Sequence, residues 1–150
     1  MVSVGAEQGI RRVGERPLTR RDVAVAACVT SAVVHAFLVR EHASEPLLAV
    51  SFALAVGALA GLAYGLTRPP SAWAPPAAAA LFAALIVAYP VVTIAGGESF
   101  DALGIATKAV EAIGLGAALT VRGESRSFGS VDVLLGVMVG LLLLSLGHSH

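Results

Sequence analysis

The sequence predicts an all-α integral membrane helical bundle of five transmembrane helices, N-terminus in and C-terminus out. Three observations predict it. Five long apolar runs, roughly 22–39, 47–67, 76–95, 101–121 and 131–147, are separated by short polar joints. A hydrocarbon core about 30 Å thick needs about 20 mostly apolar helical residues to cross it. The run at 101–121 meets that length with charges inside, and the other four meet it cleanly. Of the 150 residues, 57% are hydrophobic and 13% charged, against roughly 25% charged in an average soluble domain. So few charges do not cover a water-facing exterior. The arginines, finally, are unevenly distributed along the chain.

Residues 1–21 form a polar, arginine-rich segment with Arg11, Arg12, Arg16, Arg20 and Arg21. Thr19–Val23 has the look of a twin-arginine export signal and Val25–Cys28 that of a lipobox. Only about five apolar residues would precede Cys28, whereas a signal's apolar region has about 7–15. The run also continues past Cys28, so an uncleaved first span is expected. Glu7, Glu15 and Asp22 argue against a transit peptide. Cys28 is the single cysteine. It excludes an internal disulfide and reads as a small buried hydrophobe.

The second run follows Pro46, a residue suited to a first helical turn. It carries a small-residue stripe, Ala49, Ala53, Gly57, Gly61 and Gly65, at four-residue steps. Such stripes let helix backbones approach closely in lipid. The third run starts at Pro75-Pro76 and carries Ala80, Ala84 and Ala88. Pro90 near its outer end should kink it, and Gly96-Gly97 should end it. Tyr64 and Trp73 fall at the inner interface, where aromatic belts lie. The fifth run repeats the small-residue pattern at Gly136 and Gly140, and residues 148–150 form an external tail.

Sidedness follows from the positive-inside rule. With the N-terminus in the cytoplasm, inside segments hold Arg11, Arg12, Arg16, Arg20, Arg21, Arg68, Arg122 and Arg126; outside segments hold only Arg40. Making the fourth run interfacial would move Arg122 and Arg126 outside and weaken the bias. Glu41, Glu45, Glu98 and Asp101 then fall in outer loops. The arginines also suit anionic lipid headgroups, and no nucleic-acid partner is expected. The absence of asparagine and the richness in Ala, Val, Gly and Arg suggest a GC-rich prokaryotic genome, hence a plasma membrane.

The candidate site lies in the fourth run. Asp101, Gly104, Lys108, Glu111, Leu115, Ala118 and Arg122 share one helix face, alternating steps of three and four. A charge near the bilayer centre costs on the order of 2.5–3.5 kcal/mol by insertion scales. Pairing the two, turning them to the bundle interior or neutralising Glu111 would each lower that cost, and any of these places the stripe away from lipid. At 1.5 Å per residue, Lys108 lies about 10 Å and Glu111 about 15 Å below the outer surface. His35 lies about 20 Å up from the inner end of its span, and Tyr89 has the same offset in the third run. Ser31, Ser51 and Thr93 are close in depth. The strongly polar groups thus gather in the outer half. A polar pocket open to the outside, lined by His35, Tyr89, Lys108 and Glu111, is one reading. A buried pair that only fixes helix order is the other.

Phosphate-loop, Cys-x-x-Cys, His-Glu-x-x-His and nucleophile-elbow motifs are absent from the sequence. No catalytic residue, metal site or cofactor is expected. His35 and His42 are about 10 Å apart along one helix, too far to share an ion. His42, His148 and His150 offer at most a weak surface site for a transition metal. The functional expectation is a small non-enzymatic structural or accessory subunit. It would assemble as a homo- or hetero-oligomer in the lipid bilayer through its glycine stripes. The alternative is a small oligomeric transporter, or a proton- or ion-conducting protein, built around Lys108 and Glu111.

Overall fold

The computed structural model describes residues 18–68, 71–96 and 101–121. They form four helices: α1 (Arg20–Glu41), α2 (Pro46–Thr67), α3 (Ala74–Gly96) and α4 (Ala102–Thr120). All four are long and apolar enough to cross a membrane. They match the first four apolar runs, with no boundary moving by more than two residues. The fifth run at 131–147, with Gly136 and Gly140, lies outside the described residues. So do residues 1–17 and the 148–150 tail.

The ends of the helices have local causes. Thr19 caps α1 through a capping box: its hydroxyl accepts from the Asp22 amide at 3.1 Å, and its own amide donates to the Asp22 carboxylate at 2.9 Å. That box starts the helix at Arg20, so Arg20 and Arg21 belong to α1 and not to the polar leader. Pro46 opens α2 at a position where a missing amide donor costs little. Asp101 caps α4 by accepting from the Gly104 amide. The α3 helix continues through Pro90 to Gly96.

In the bundle, α4 packs between α1 and α3. On the other flank of α1 lies α2, which also makes a lighter contact with α3. The Arg20 guanidinium donates to the Thr120 carbonyl at 3.2 Å. The start of α1 and the end of α4 therefore share one end of the bundle, as an up-down-up-down order requires. The positive charge also complements the carbonyl end of α4.

Burial runs against the pattern of a water-soluble protein. Glu111 is 0% exposed, while Val33, Leu54 and Ile94 are 65%, 69% and 53% exposed. Large apolar side chains line the outside on every helix, and a charge sits at the centre. Soluble monomers rarely expose so continuous an apolar surface. Length, composition and this inverted burial together are those of a membrane helical bundle. At one end of it, Arg68 lies 4.4 Å from the centre of the Tyr64 ring, and Trp73 packs against Gly65. Such aromatic and basic groups suit a headgroup boundary.

Candidate functional site

The site is a hydrogen-bonded chain joining α1, α4 and α3. On α4, Lys108 and Glu111 face the same way because they are three residues apart. The Lys108 ammonium is in direct contact with Glu111 Oε2 and donates to the Leu85 carbonyl of α3 at 3.1 Å. The Tyr89 ring, also on α3, has its centre 5.6 Å from the same ammonium. Glu111 Oε1 accepts from the Ser31 hydroxyl of α1 at 2.7 Å. Both carboxylate oxygens are thus bonded across or along the helix interface. Burying an ion pair is tolerable only when the remaining polar atoms are satisfied in this way.

His35 extends the chain one turn along α1. Its Nδ1 lies 2.8 Å from the Ser31 carbonyl and 3.3 Å from the Ser31 hydroxyl. A carbonyl oxygen only accepts, so Nδ1 carries a proton. Neutral His35 therefore keeps its lone pair on Nε2. The imidazole is buried, and its edge meets the Phe52 ring of α2 with the centres 5.8 Å apart. His42 flanks the same Phe52 ring at 5.4 Å and pairs with Glu45 at 3.2 Å. His42 is engaged at the helix end and takes no part in the buried chain.

The four residues singled out from sequence divide accordingly. Lys108 and Glu111 form the centre, and His35 reaches them through Ser31. Tyr89 covers Lys108 and rests on Gly104, where an added Cβ would overlap its hydroxyl and ring. Thr93 is buried, whereas Ser51 is exposed and bonds the Leu47 carbonyl of its own helix at 2.7 Å. Ser31 has the largest role among residues that sequence reading placed only by depth. The Leu85 carbonyl had no sequence signal beyond its place one turn before Tyr89. Pro90 withholds an amide from the Ile86 carbonyl, one residue after the Leu85 carbonyl that Lys108 meets.

The glycine stripe of α2 divides as well. Gly65 packs on the Trp73 ring and on Ala74, with an added Cβ falling 3.1–3.3 Å from them. Gly57 and Gly61 have no heavy atom within 4 Å of an added Cβ, so they face away from the other described helices. A close contact between helices is instead made at Gly114 of α4. A Cβ there would lie 2.6 Å from the Ala27 Cβ and 2.7 Å from the Phe82 ring. This glycine lets α4 enter between α1 and α3 and brings Glu111 to Ser31.

Among the described residues no group of three or more His, Cys, Asp or Glu side chains is placed to hold a metal ion. What the arrangement can do chemically is hold charge, exchange protons and fix helix positions. No protein-family model, curated protein or solved structure matches this chain.

Proposed function

We propose that this chain is a multi-pass plasma-membrane protein without a chemical active site, acting as a structural or accessory subunit. In this reading the bundle has five spans, with the N-terminus in the cytoplasm and the C-terminus outside a prokaryotic cell. One observation carries the structural role: the Lys108–Glu111 pair is bonded by Ser31 from α1 and by the Leu85 carbonyl from α3. Three helices converge on one enclosed pair, which fixes their rotation and depth. The Ala53, Gly57 and Gly61 face of α2 is then left for assembly with a second copy or another membrane protein.

The test replaces the pair by apolar residues of similar size, Lys108→Met together with Glu111→Leu. A purely structural pair is replaceable in this way with little loss. The double variant should fold, reach the membrane and co-purify with the same partners as the parent. Loss of partners from a folded double variant contradicts the reading.

A second reading, a small proton- or ion-conducting protein with an outward-facing polar region, is favoured by the continuity of His35, Ser31, Glu111 and Lys108. Helix positioning alone needs no histidine in that chain. Flux of protons and alkali cations into liposomes containing the purified protein, with Glu111→Gln as control, tests it.

A further inference from the structure

The buried chain turns on one hydroxyl. Ser31 touches both the imidazole of His35 and the carboxylate of Glu111, and it is 0% exposed. A hydroxyl is at once donor and acceptor. With its proton directed at Glu111 Oε1, its oxygen lies 3.3 Å from the protonated Nδ1 of His35, whose nearer acceptor is the Ser31 carbonyl at 2.8 Å. Every link in this sequence has a donor on one side and an acceptor on the other. They read His35 Nδ1–H, then Ser31 Oγ–H, then Glu111 Oε1.

We propose that His35, Ser31 and Glu111 form a proton wire, in which a proton taken up by His35 from the outer solution reaches Glu111 through the Ser31 hydroxyl. The step balances. A hydronium ion delivers a proton to Nε2, the ring nitrogen with the free lone pair, and leaves as water. The Nδ1–H bond breaks as its proton passes to Ser31 Oγ, and the Ser31 O–H bond breaks as its proton passes to Glu111 Oε1. The carboxylate has become a carboxylic acid and Ser31 is unchanged; His35 is left with its proton on Nε2, and the ring turns its bare Nδ1 away from the Ser31 carbonyl before the next proton enters.

The surroundings suit the transfer. Facing the wire from α4 are Glu111 and Lys108. From α3 comes Tyr89, beyond Lys108, and α2 presents the apolar Phe52. On its own helix His42 lies against the same Phe52 ring, with the ring centres 5.4 Å apart. Lys108 loses its counter-charge when Glu111 is protonated. The Leu85 carbonyl and the Tyr89 ring still hold the ammonium, which lowers the cost of that state. The wire rests on the second functional reading in one respect, in that it names the proton as cargo. Proton delivery to Glu111 is nevertheless separable from transport across the membrane.

The experiment is a pH jump on the full-length protein in nanodiscs. Time-resolved infrared spectroscopy follows the carbonyl band of a buried carboxylic acid, and circular dichroism checks each variant. The parent should show a band that Glu111→Gln abolishes. Ser31→Ala and His35→Gln should slow its rise by about a hundredfold, the lower end of what a positioned proton-transfer group contributes. Ser31→Thr, which keeps the hydroxyl, should restore the rate. Should Ser31→Ala fail to fold, His35→Gln and Ser31→Thr carry the same comparison. A parent without the band at any pH that preserves its helices overturns the wire. So does a rate unchanged in folded Ser31→Ala and His35→Gln. Proton flux into liposomes is measured in parallel. A band that rises as described without flux leaves the wire standing and removes the transport reading. Flux that is indifferent to Ser31 and His35, with the rise of the band unchanged in the same variants, removes the wire and leaves transport standing.

Discussion

Gly114 of α4 lies against Phe82 of α3 so closely that a Cβ on the glycine would fall 2.7 Å from the ring and 2.6 Å from the Ala27 methyl of α1. This one position sets the spacing of three helices. Gly114→Ala forces them apart or twists Phe82, and overpacking of this kind costs about 1–3 kcal/mol. The better helix propensity of alanine recovers up to about 1 kcal/mol. A net loss of stability is expected in denaturing-detergent titrations followed by circular dichroism. Unchanged stability would show that the α1–α4–α3 contact is looser than described.

Gly61 offers the opposite case. Its surroundings are open among the described residues, so Gly61→Ala should leave the fold of α1–α4 as stable as the parent or slightly more so. Gly61→Leu should likewise preserve the fold but reduce assembly if the face is a seam. Native mass measurement in detergent reads both. A Gly65→Leu variant, by contrast, meets Trp73 and Ala74 and should destabilise the fold itself.

The ion pair calls for a double-mutant cycle. Lys108→Met alone leaves Glu111 buried without its cation, and Glu111→Leu alone leaves Lys108 without its anion. Each should cost about 3–5 kcal/mol, as breaking a buried pair does. The double variant should recover most of that loss. The diagnostic quantity is the coupling term, and additive losses would mean the pair is not bonded in the folded protein.

Lys108 is the only lysine of the chain, and it is 8% exposed. A membrane-impermeant amine reagent should leave it almost unmodified in the folded parent. Gly104→Ala puts a methyl where the Tyr89 hydroxyl and ring now lie, displacing the ring that covers the ammonium. Lys108 modification should then rise about tenfold at unchanged helix content, scored by intact mass against the N-terminal amine, in keeping with about 1.4 kcal/mol of lost protection. No rise would mean that Tyr89 does not shield the site.

Much of this was legible in the sequence because it depends on position along one helix. The four described spans follow from run length. The Lys108–Glu111 contact follows from a spacing of three residues, and the need to bury it follows from the cost of charge in lipid. The partners across helices were not legible. Whether Ser31 or Ser51 meets Glu111 depends on how α1 and α2 are rotated, and depth alone ranks them equally. Ser51 is turned outward and Ser31 inward. The stripe of Gly57 and Gly61 shows that a helix can approach something closely, but not which neighbour does so. Gly114 was passed over although Ala118 stands four residues on, because small residues crowd this part of α4 and no spacing singles one out. The contact it permits became visible only with Phe82 and Ala27 in place.

Ser31 and Glu111 are separated by 80 positions in the chain, and this has a consequence for biosynthesis. When the first two segments leave the ribosome and pair as a hairpin, the hydroxyl that will meet the carboxylate has no partner on α4 yet. The segment bearing Lys108 and Glu111 enters lipid with more difficulty than the others. It arrives to find a receptor for its acid already waiting on α1. Insertion of the most polar segment is thereby coupled to the earlier placement of the first, so a defect at residue 31 should register as an error in how the fourth segment enters the bilayer.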